Sequence, residues 1–541
     1  MTKTKENPAK ESFLKEWGVL LVMGLASFIL VLDTSMMNVA ISAIVEDLDT
    51  SVSAVQSAIT IYALVMASFM LLGGKLGDIY GMKKTFIIGM IFYGIGTLTA
   101  ALTPNIAILI LGWSIIEGIG AAFVLPMTIT MVALKYSGKQ LAMGFGVIGG
   151  VQAAGAAVGP IFGGFMTTYF SWRLAFASEA VIVVIIFALL FVLPESEKLK
   201  GKVDWLGAAV SALGLGTIVL GIILSSTYGW VLAKRPFMIG DTTLDFFGLS
   251  ITPVMIVFGM GLLLLFIHWE KRVEKAGKMP LMHVKLLKNG LLIAGVAVGS
   301  VMNIFLGGMM FVTPVFLQSA LGYDAMSSGM ALLPMSIAIF IFSLSTSSLG
   351  EKFSPKYIII GGLGLVVLGL LLLYPTISME MKSSDMMVGL AIFGTGIGFI
   401  LAQITNVTLR SVSNEENNEA SGFNFTFRQM GISMGTAVIG AVLLSTVLLG
   451  QVSGLLDTAG IEASASEVRD LSVIMEDAMQ SMTTTEKQDT LNALTPEMTT
   501  QLDQITDDAW IHGMKISLIA MLITTLLTIG AASFLSDKKL T

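Results

Sequence analysis

Blocks of roughly twenty apolar residues, separated by short stretches marked by charge, Pro, Asn or Gly, recur from one end of the chain to the other. Wound as a helix, a block of that length rises about 30 Å, the thickness of a bilayer's hydrocarbon core. Fourteen such blocks, starting near residues 17, 54, 85, 106, 141, 174, 205, 248, 291, 325, 357, 385, 423 and 510, predict fourteen membrane spans. The apolar run from Trp17 is too long for a signal-peptide core and lacks a small-residue cleavage site, so it is expected to stay as the first span. The pattern lapses between about 450 and 509, a polar, Thr-rich stretch. Short apolar repeats in SASEVRDLSVIMEDAMQSM predict one or two amphipathic helices there, outside the membrane.

Composition agrees. Of 541 residues, 55% are hydrophobic and 13% charged, about half the charge of a soluble domain, and mean hydropathy is +0.84. This excludes an ordinary soluble enzyme and predicts an all-α, multi-pass membrane protein. The 57 glycines suit helices that approach one another closely. With no Cys, and with His268, His283 and His512 far apart, neither residue type offers a metal-ligand spacing. No metal and no cofactor are expected.

The cationic residues set an orientation. With the N-terminus placed in the cytoplasm, 24 of the 31 Lys and Arg fall in inner segments and seven in outer ones. Both termini are therefore expected to be cytoplasmic and the protein to lie in the plasma membrane. Segment 450–509 holds 12 Asp and Glu against Arg469 and Lys487, a net charge of -10 in a chain of -6 overall. It reads either as a solvated cap or as a vestibule that gathers cations.

The chain also repeats itself. Leu76 to Lys83 aligns with Leu349 to Lys356, Ala142-x-Gly144-Phe145 with Ala420-x-Gly422-Phe423, and Gly155-x-x-x-Gly159 with Gly431-x-x-x-Gly435. Related halves predict two pseudo-symmetric six-helix bundles, residues 1–200 and 271–541, with two further helices inserted at 201–270. Such halves usually move against each other around a site at mid-membrane.

Several motifs sit on this frame. Between spans 2 and 3, Gly74, Leu76, Asp78, Gly81, Lys83 and Lys84 follow G-x-L-x-D-x-x-G-x-K-K. Glycines permit a tight turn there, while a carboxylate can face helix N-termini and nearby cations. Span 5 carries Gly155, Gly159, Pro160, Gly163 and Gly164 in the order G-x-x-x-G-P-x-x-G-G, where small residues admit a neighbouring helix and Pro160 permits a bend. Span 1 holds Leu32-Asp33-Thr34-Ser35-Met36-Met37-Asn38-Val39-Ala40.

Together these resemble the major facilitator superfamily, and within it the 14-span drug:proton antiporters. The first motif matches the superfamily's loop between spans 2 and 3, the second its antiporter motif, and the third the L-D-x-T-x-x-N-V-A stretch of the 14-span family. Trp172-Arg173, Val203-Asp204-Trp205-Leu206-Gly207, Pro280-Leu281, Gln318, Gly322, Gly329 and Pro334 continue the likeness. So do Ala420-Ser421-Gly422, Asn424, Arg428, Gln429 and Gly431. The resemblance implies that the loop of Gly74, Asp78, Gly81, Lys83 and Lys84 latches the halves together. It also implies small-molecule export against protons.

Departures matter as well. Ile79 and Met82 stand where the family commonly has Arg, so the latch is expected to have fewer ionic contacts. In span 4, Ser114 replaces the Arg held to assist proton transfer, and Glu117 replaces a Gln. Attention shifts to acids inside the membrane, which are functional candidates by default. Asp33 lies near the middle of span 1 and reads as a proton or cation site, or else as a structural hydrogen-bond acceptor. Glu117, near mid-bilayer, is either a second such site or a neutral acid fixed between helices. Glu179, roughly 8 Å inside span 6, could instead reach the headgroups, and Arg428 could snorkel to the cytoplasm.

Two signals lead elsewhere and fail. Gly144-x-Gly146-x-x-Gly149 lies inside span 5 with no strand before it, and the chain holds no G-x-x-x-x-G-K-[ST] pattern to support ATP drive. The E-x-x-E-R signature of peptide symporters is missing from span 1. The expected function is proton-coupled efflux of cationic or amphipathic organic compounds by alternating access, with 35 Met supplying adaptable apolar surface. Expected partners are the bilayer, a small-molecule substrate and protons, with no nucleic acid, and the chain is expected to act as a monomer. An exporter dedicated to one endogenous metabolite or natural product, or a transporter-like receptor, are the alternatives.

Overall fold

The computed structural model describes residues 8–196, 198, 201–235, 237–239, 242–244, 246–412, 417–481 and 495–532. Lys3, Lys5, Lys200, Lys487, Lys538 and Lys539, which enter the charge asymmetry, lie outside them. "Inner" and "outer" below follow the orientation expected from charge.

The first half comprises α1 (Pro8–Met37), the short α2 (Ile41–Asp47), α3 (Val52–Tyr80), α4 (Met82–Ala101), α5 (Ile106–Lys135), α6 (Gly138–Tyr169) and α7 (Trp172–Ala188). The inserted pair is α8 (Trp205–Tyr228) and α9 (Ile251–Lys275), joined through a hairpin of β1 (Phe237–Ile239) and β2 (Thr242–Leu244). The second half holds α10 (Gly290–Ser319), α11 (Ala325–Lys352), α12 (Pro355–Leu373), α13 (Met387–Arg410), α14 (Asn417–Thr458), α15 (Ala465–Ser481) and α16 (Pro496–Ala532).

Among the described residues, thirteen helices are long and apolar enough to cross a membrane. The sixth predicted span is carried by a shorter helix, still within the length a bilayer crossing needs. This helix, α7, has 17 residues before a 3-10 turn at Leu190–Val192, about 26 Å of rise. Polar side chains start many of the helices where the sequence changes character. Ser51, Asn105, Ser171, Asp204, Ser250 and Asn289 each accept a hydrogen bond from a backbone N–H of the following turn, satisfying donors the helix leaves open.

Packing repeats between the halves. Within the first, α1 lies along α6; within the second, α10 lies along α14. Across the interface α3 meets α14 and α6 meets α11, as a pseudo-two-fold relation requires. The inserted α8 and α9 pack on each other, and α8 covers the α3/α14 seam.

Hydrogen bonds close the outer end of that interface. Gln56 Nε2 donates to Thr436 O (2.7 Å), Ser433 Oγ to Thr60 O (3.0 Å), Gln318 Nε2 to Val39 O (3.1 Å) and Met326 N to Thr168 Oγ1 (3.0 Å). Above the membrane, α14 and α16 run on into the acidic segment, where Gly450 faces Ala509 and Gly454 faces Ile505. The described part of 450–509 is therefore two helix extensions plus α15, which matches the predicted amphipathic helix.

Candidate functional site

The site grows from a glycine-mediated helix crossing. At Gly96 of α4, a Cβ would fall 2.6 Å from the Glu117 nitrogen and 2.7 Å from its Cα, so only glycine lets α5 come this close. At the crossing, Ile110–Glu117 is wound as a π-helix, a rare local form that is frequent at functional sites. Trp113 and Glu117 both lie in this wider turn. Trp113 Nε1 donates to the two oxygens of Asp33 on α1, each at 3.0 Å, and its ring stacks on Tyr62 of α3 at 4.7 Å.

Glu179 of α7 arrives from the opposite side. Its Oε2 accepts from the Tyr93 hydroxyl (2.8 Å) and lies 3.4 Å from Thr97 Oγ1. Asp33, Glu117 and Glu179 are each 0% exposed, and one carboxyl oxygen from each lies within 4.8 Å of the others. Both oxygens of Glu117 and Oε1 of Glu179 have no hydrogen-bond partner, nor has the buried Tyr62 hydroxyl. Among the described residues none of the three acids is paired with a Lys or Arg. At an effective dielectric constant near 20, two full charges at this spacing repel by about 3.5 kcal/mol. Three simultaneous charges are thus unfavourable by about 10 kcal/mol, so the cluster needs a proton or a cation among its oxygens.

Glu179 is therefore not at the headgroups but inside the cluster. Glu117 has no donor at hydrogen-bond distance, while Asp33 accepts from Trp113. Ser114, standing where the family has Arg, donates to Ala58 O (2.8 Å) and ties α5 to α3. Asn38 is buried, its Nδ2 donating to Thr34 O (2.7 Å) and its Oδ1 unpartnered. Arg428 is half-buried with its guanidinium 5.4 Å over the Phe425 ring.

The antiporter motif carries two packing faces. Gly155, Gly159 and Gly163, spaced one turn apart, lie against Phe28, Ser35 and Met36 of α1. Pro160 and Gly164 face the other half, meeting Gly329 and the Ala325–Met326 backbone of α11. The motif thus wedges the Asp33 helix against the opposite bundle.

At the inner end, Gly81 adopts φ +102°, a conformation that favours glycine, and turns α3 into α4. Lys83 Nζ donates to Leu193 O (3.1 Å) and lies 3.8 Å from Glu195, while Lys84 is exposed and Gly74 and Asp78 are half-buried. Lys83 therefore binds its own half. The bond across the halves comes from Lys75, 4% exposed, whose Nζ lies 3.4 Å from Glu419 Oε1. Glu419 also accepts from the His283 backbone N–H (3.1 Å) and lies 2.8 Å from its Nδ1.

Sequence reasoning missed Lys75, Glu419, Tyr62, Tyr93, Thr97 and Trp113. A lysine six residues inside the end of an apolar helix was a usable signal for the first; the others look like ordinary membrane-core residues. Two matched signatures find structural roles: Trp172 Nε1 donates to Asp47 (2.8 Å), beside the Arg173–Asp47 ion pair, and Asp204 accepts from Trp269 Nε1 (2.7 Å).

The family model described as Major Facilitator Superfamily matches residues 23–436. The chain belongs to the major facilitator superfamily. Over 467 residues it is 28% identical to the probable actinorhodin transporter of Streptomyces coelicolor, covering 84% of this chain and 76% of that protein. It is 26% identical to the multidrug resistance protein Stp of Mycobacterium tuberculosis (78% and 75%). It is 25% identical to the tetracenomycin C resistance and export protein of Streptomyces glaucescens (80% and 77%). The crystal structure of a bacterial homolog to the human lysosomal transporter Spinster, inward-facing and unoccupied, superposes with a TM-score of 0.60 at 12% identity, covering 97% and 98%. That likeness is one of fold. As a superfamily member the chain is a multi-pass membrane transporter, and its relatives are named for multidrug and antibiotic resistance or export.

Proposed function

We propose that this transporter is a proton-coupled antiporter of the plasma membrane, exporting cationic or amphipathic organic compounds by alternating access, with both termini cytoplasmic and acting as a monomer. The observation that carries the reading is the triad of Asp33, Glu117 and Glu179, three mutually repelling buried acids with no cationic partner among the described residues. Such a cluster takes up and releases protons, and that exchange drives export of the organic compound. Because α6 packs on the Asp33 helix with one face and on α11 with the other, reloading the triad is coupled to the interface between the halves. Asp33, held by Trp113, is the primary proton carrier. Glu117, unpartnered, is the second, and Glu179 is oriented by Tyr93.

The relatives named for actinorhodin and tetracenomycin C favour a second reading, an exporter dedicated to one natural product. A panel of organic compounds applied to proteoliposomes with an imposed pH gradient tests both. Proton release driven by many unrelated cations is expected; release with a single compound favours the dedicated exporter. Binding with no proton movement for any compound overturns antiport.

A further inference from the structure

The triad has a geometry that protons alone do not require. An ion at the centre of three oxygens no more than 4.8 Å apart lies at most about 2.8 Å from each, and modest side-chain adjustment brings it to the roughly 2.3–2.6 Å of a calcium–oxygen bond. The three carboxyl groups offer six oxygens in all. The Tyr62 hydroxyl, 0% exposed and with no hydrogen bond at standard distance, lies beside Trp113 at the Asp33 side of the cluster and offers a seventh. Flexible coordination by six to eight oxygens is what calcium-sized ions take. Hydrogen bonds from Trp113 to both oxygens of Asp33 and from Tyr93 to one oxygen of Glu179 fix the orientation of these carboxyls, leaving Glu117 and Glu179 Oε1 the most open to an ion.

The setting also selects the ligand's size. All three acids are sealed from solvent and walled by Tyr62, Trp113, Tyr93 and Phe176, so the centre suits a bare ion and not an organic cation. Mg2+ fits poorly, since it demands bonds of about 2.0–2.1 Å and sheds its water reluctantly.

We propose that Asp33, Glu117, Glu179 and Tyr62 form a binding site for one hard, oxygen-seeking metal ion the size of Ca2+ or Na+. This rests on the reading of the triad as the ion-coupling site, and it makes a metal ion a second species that the site accepts.

The test uses the full chain, purified in detergent and stripped with chelator, titrated with Ca2+, Na+ or Mg2+ at constant ionic strength. Binding is followed by calorimetry and by tryptophan emission, to which Trp113 reports directly. One saturable event with Ca2+ or Na+ is expected, the saturating ion identifying which of the two the site prefers. Affinity should fall at least about tenfold in Glu117→Gln, which keeps shape and removes charge, and at least severalfold in Tyr62→Phe, which keeps the ring stack. Mg2+ should bind at least about tenfold more weakly than the preferred ion. Three results each overturn the site: no saturation by either ion up to about 10 mM, beyond the weakest calcium sites; unchanged affinity in both variants; or Mg2+ binding as tightly as the preferred ion. Should Glu117→Gln not fold, Tyr62→Phe alone decides. Proton-driven export with chelator present is measured separately. Export without metal binding retires the site and leaves the coupling reading standing, while metal binding without proton-driven export does the reverse.

Discussion

The cores of the two halves share a backbone and differ in chemistry. In the first half Gly155 and Gly159 lie against the Phe28 and Leu32 carbonyls; in the second, Gly431 and Gly435 lie against those of Ser300 and Ile304. That register places Phe305 where the first half has Asp33. Likewise Gly89 and Gly96 meet Gly120 and Glu117, whereas Gly362 and Gly369 meet Gly396 and Phe393. Tyr93, which holds Glu179, corresponds to Val366, packed on Gly396 as Tyr93 is on Gly120. Phe305, Phe393 and Val366 are all 0% exposed. The same helix crossings thus close over apolar residues in one half and over acids in the other, so the fold does not demand the acids. A buried charge without a partner is a burden on stability, and among the described residues these matched positions carry it only in the first half, where the proposed coupling site lies.

The largest effect should come from removing that asymmetry. Asp33→Asn keeps the shape and an acceptor for Trp113 but cannot exchange a proton, so proton-driven export should fall to background. Phe305→Leu, at the matching position, should cost about 1–2 kcal/mol of stability and leave the response to pH near tenfold per unit. Transport assays in proteoliposomes decide; coupled export by Asp33→Asn would sink the assignment.

Gly159→Leu comes next. A side chain there collides with Ser35, two residues from Asp33, and export should be abolished by overpacking while substrate binding stays within a few-fold. Gly435→Leu makes the same collision with α10, where no acid is near. Equal behaviour of proton binding in the two variants would mean that the glycine ridge acts by packing alone. Loss of substrate binding in Gly159→Leu would place α6 in the ligand site.

Glu117→Gln is a subtler cut through the triad. If Asp33 and Glu117 carry one proton each, the variant should keep pH-driven exchange of a monovalent cation but lose its response to membrane potential, worth about 2.3 kcal/mol per charge per 100 mV. Potentials set with potassium and valinomycin at fixed pH measure this. Unchanged potential dependence would leave Glu117 outside the coupling.

How much of this was legible beforehand follows from what each feature depends on. Span positions depend on local apolar length, and most helices begin within a few residues of the predicted start, whereas α1, α14 and α16 begin earlier, at Pro8, Asn417 and Pro496, because polar turns precede their apolar lengths. The sixth is carried by a shorter helix than the others, because composition does not reveal that the chain tightens after Ala188. Asp33 and Glu117 were conspicuous as acids in apolar runs, and their depth followed from counting. Their convergence with Glu179 was not legible, because it depends on the π-helical turn and on Gly96, and one sequence does not show which helices cross. The loop motif implies a latch; among the described residues an ion pair that spans the halves uses Lys75, an unspecified position of that motif, with Glu419.

That ion pair offers a moderate test of the inner contact between unlike halves. Glu419→Gln leaves Lys75 buried without a counter-charge and should destabilise by about 3–5 kcal/mol. Lys75→Met leaves Glu419 its His283 contacts and should cost less. Thermal unfolding in detergent measures both, and a larger loss for Lys75→Met would show that His283 does not compensate.

The smallest effect concerns acids that the second half does carry, outside the membrane. Asp503 and Asp507 line an outer cavity of about 520 Å3 together with Trp510 and Met379. Unlike the sealed triad, these groups meet solvent, so their pull on a cation is screened within about 10 Å at 0.1 M salt. Deleting residues 462–492 removes α15 and spares the extensions of α14 and α16 that pack through Gly450 and Ala509, so insertion should be unaffected. The deletion leaves Asp503 and Asp507 in place but removes seven acids, of which Glu462, Glu467 and Asp470 are exposed, against Arg469 and Lys487. If the segment gathers cations, the apparent KM for cationic substrates should rise a few-fold at low ionic strength and return to normal near 0.5 M salt, where the screening length is only about 4 Å. Asp33→Asn should show no such salt rescue, because screening does not restore a missing carboxyl. A KM shift that persists at high salt would mean that the outer segment acts by shape, leaving all charge-dependent function in the first half.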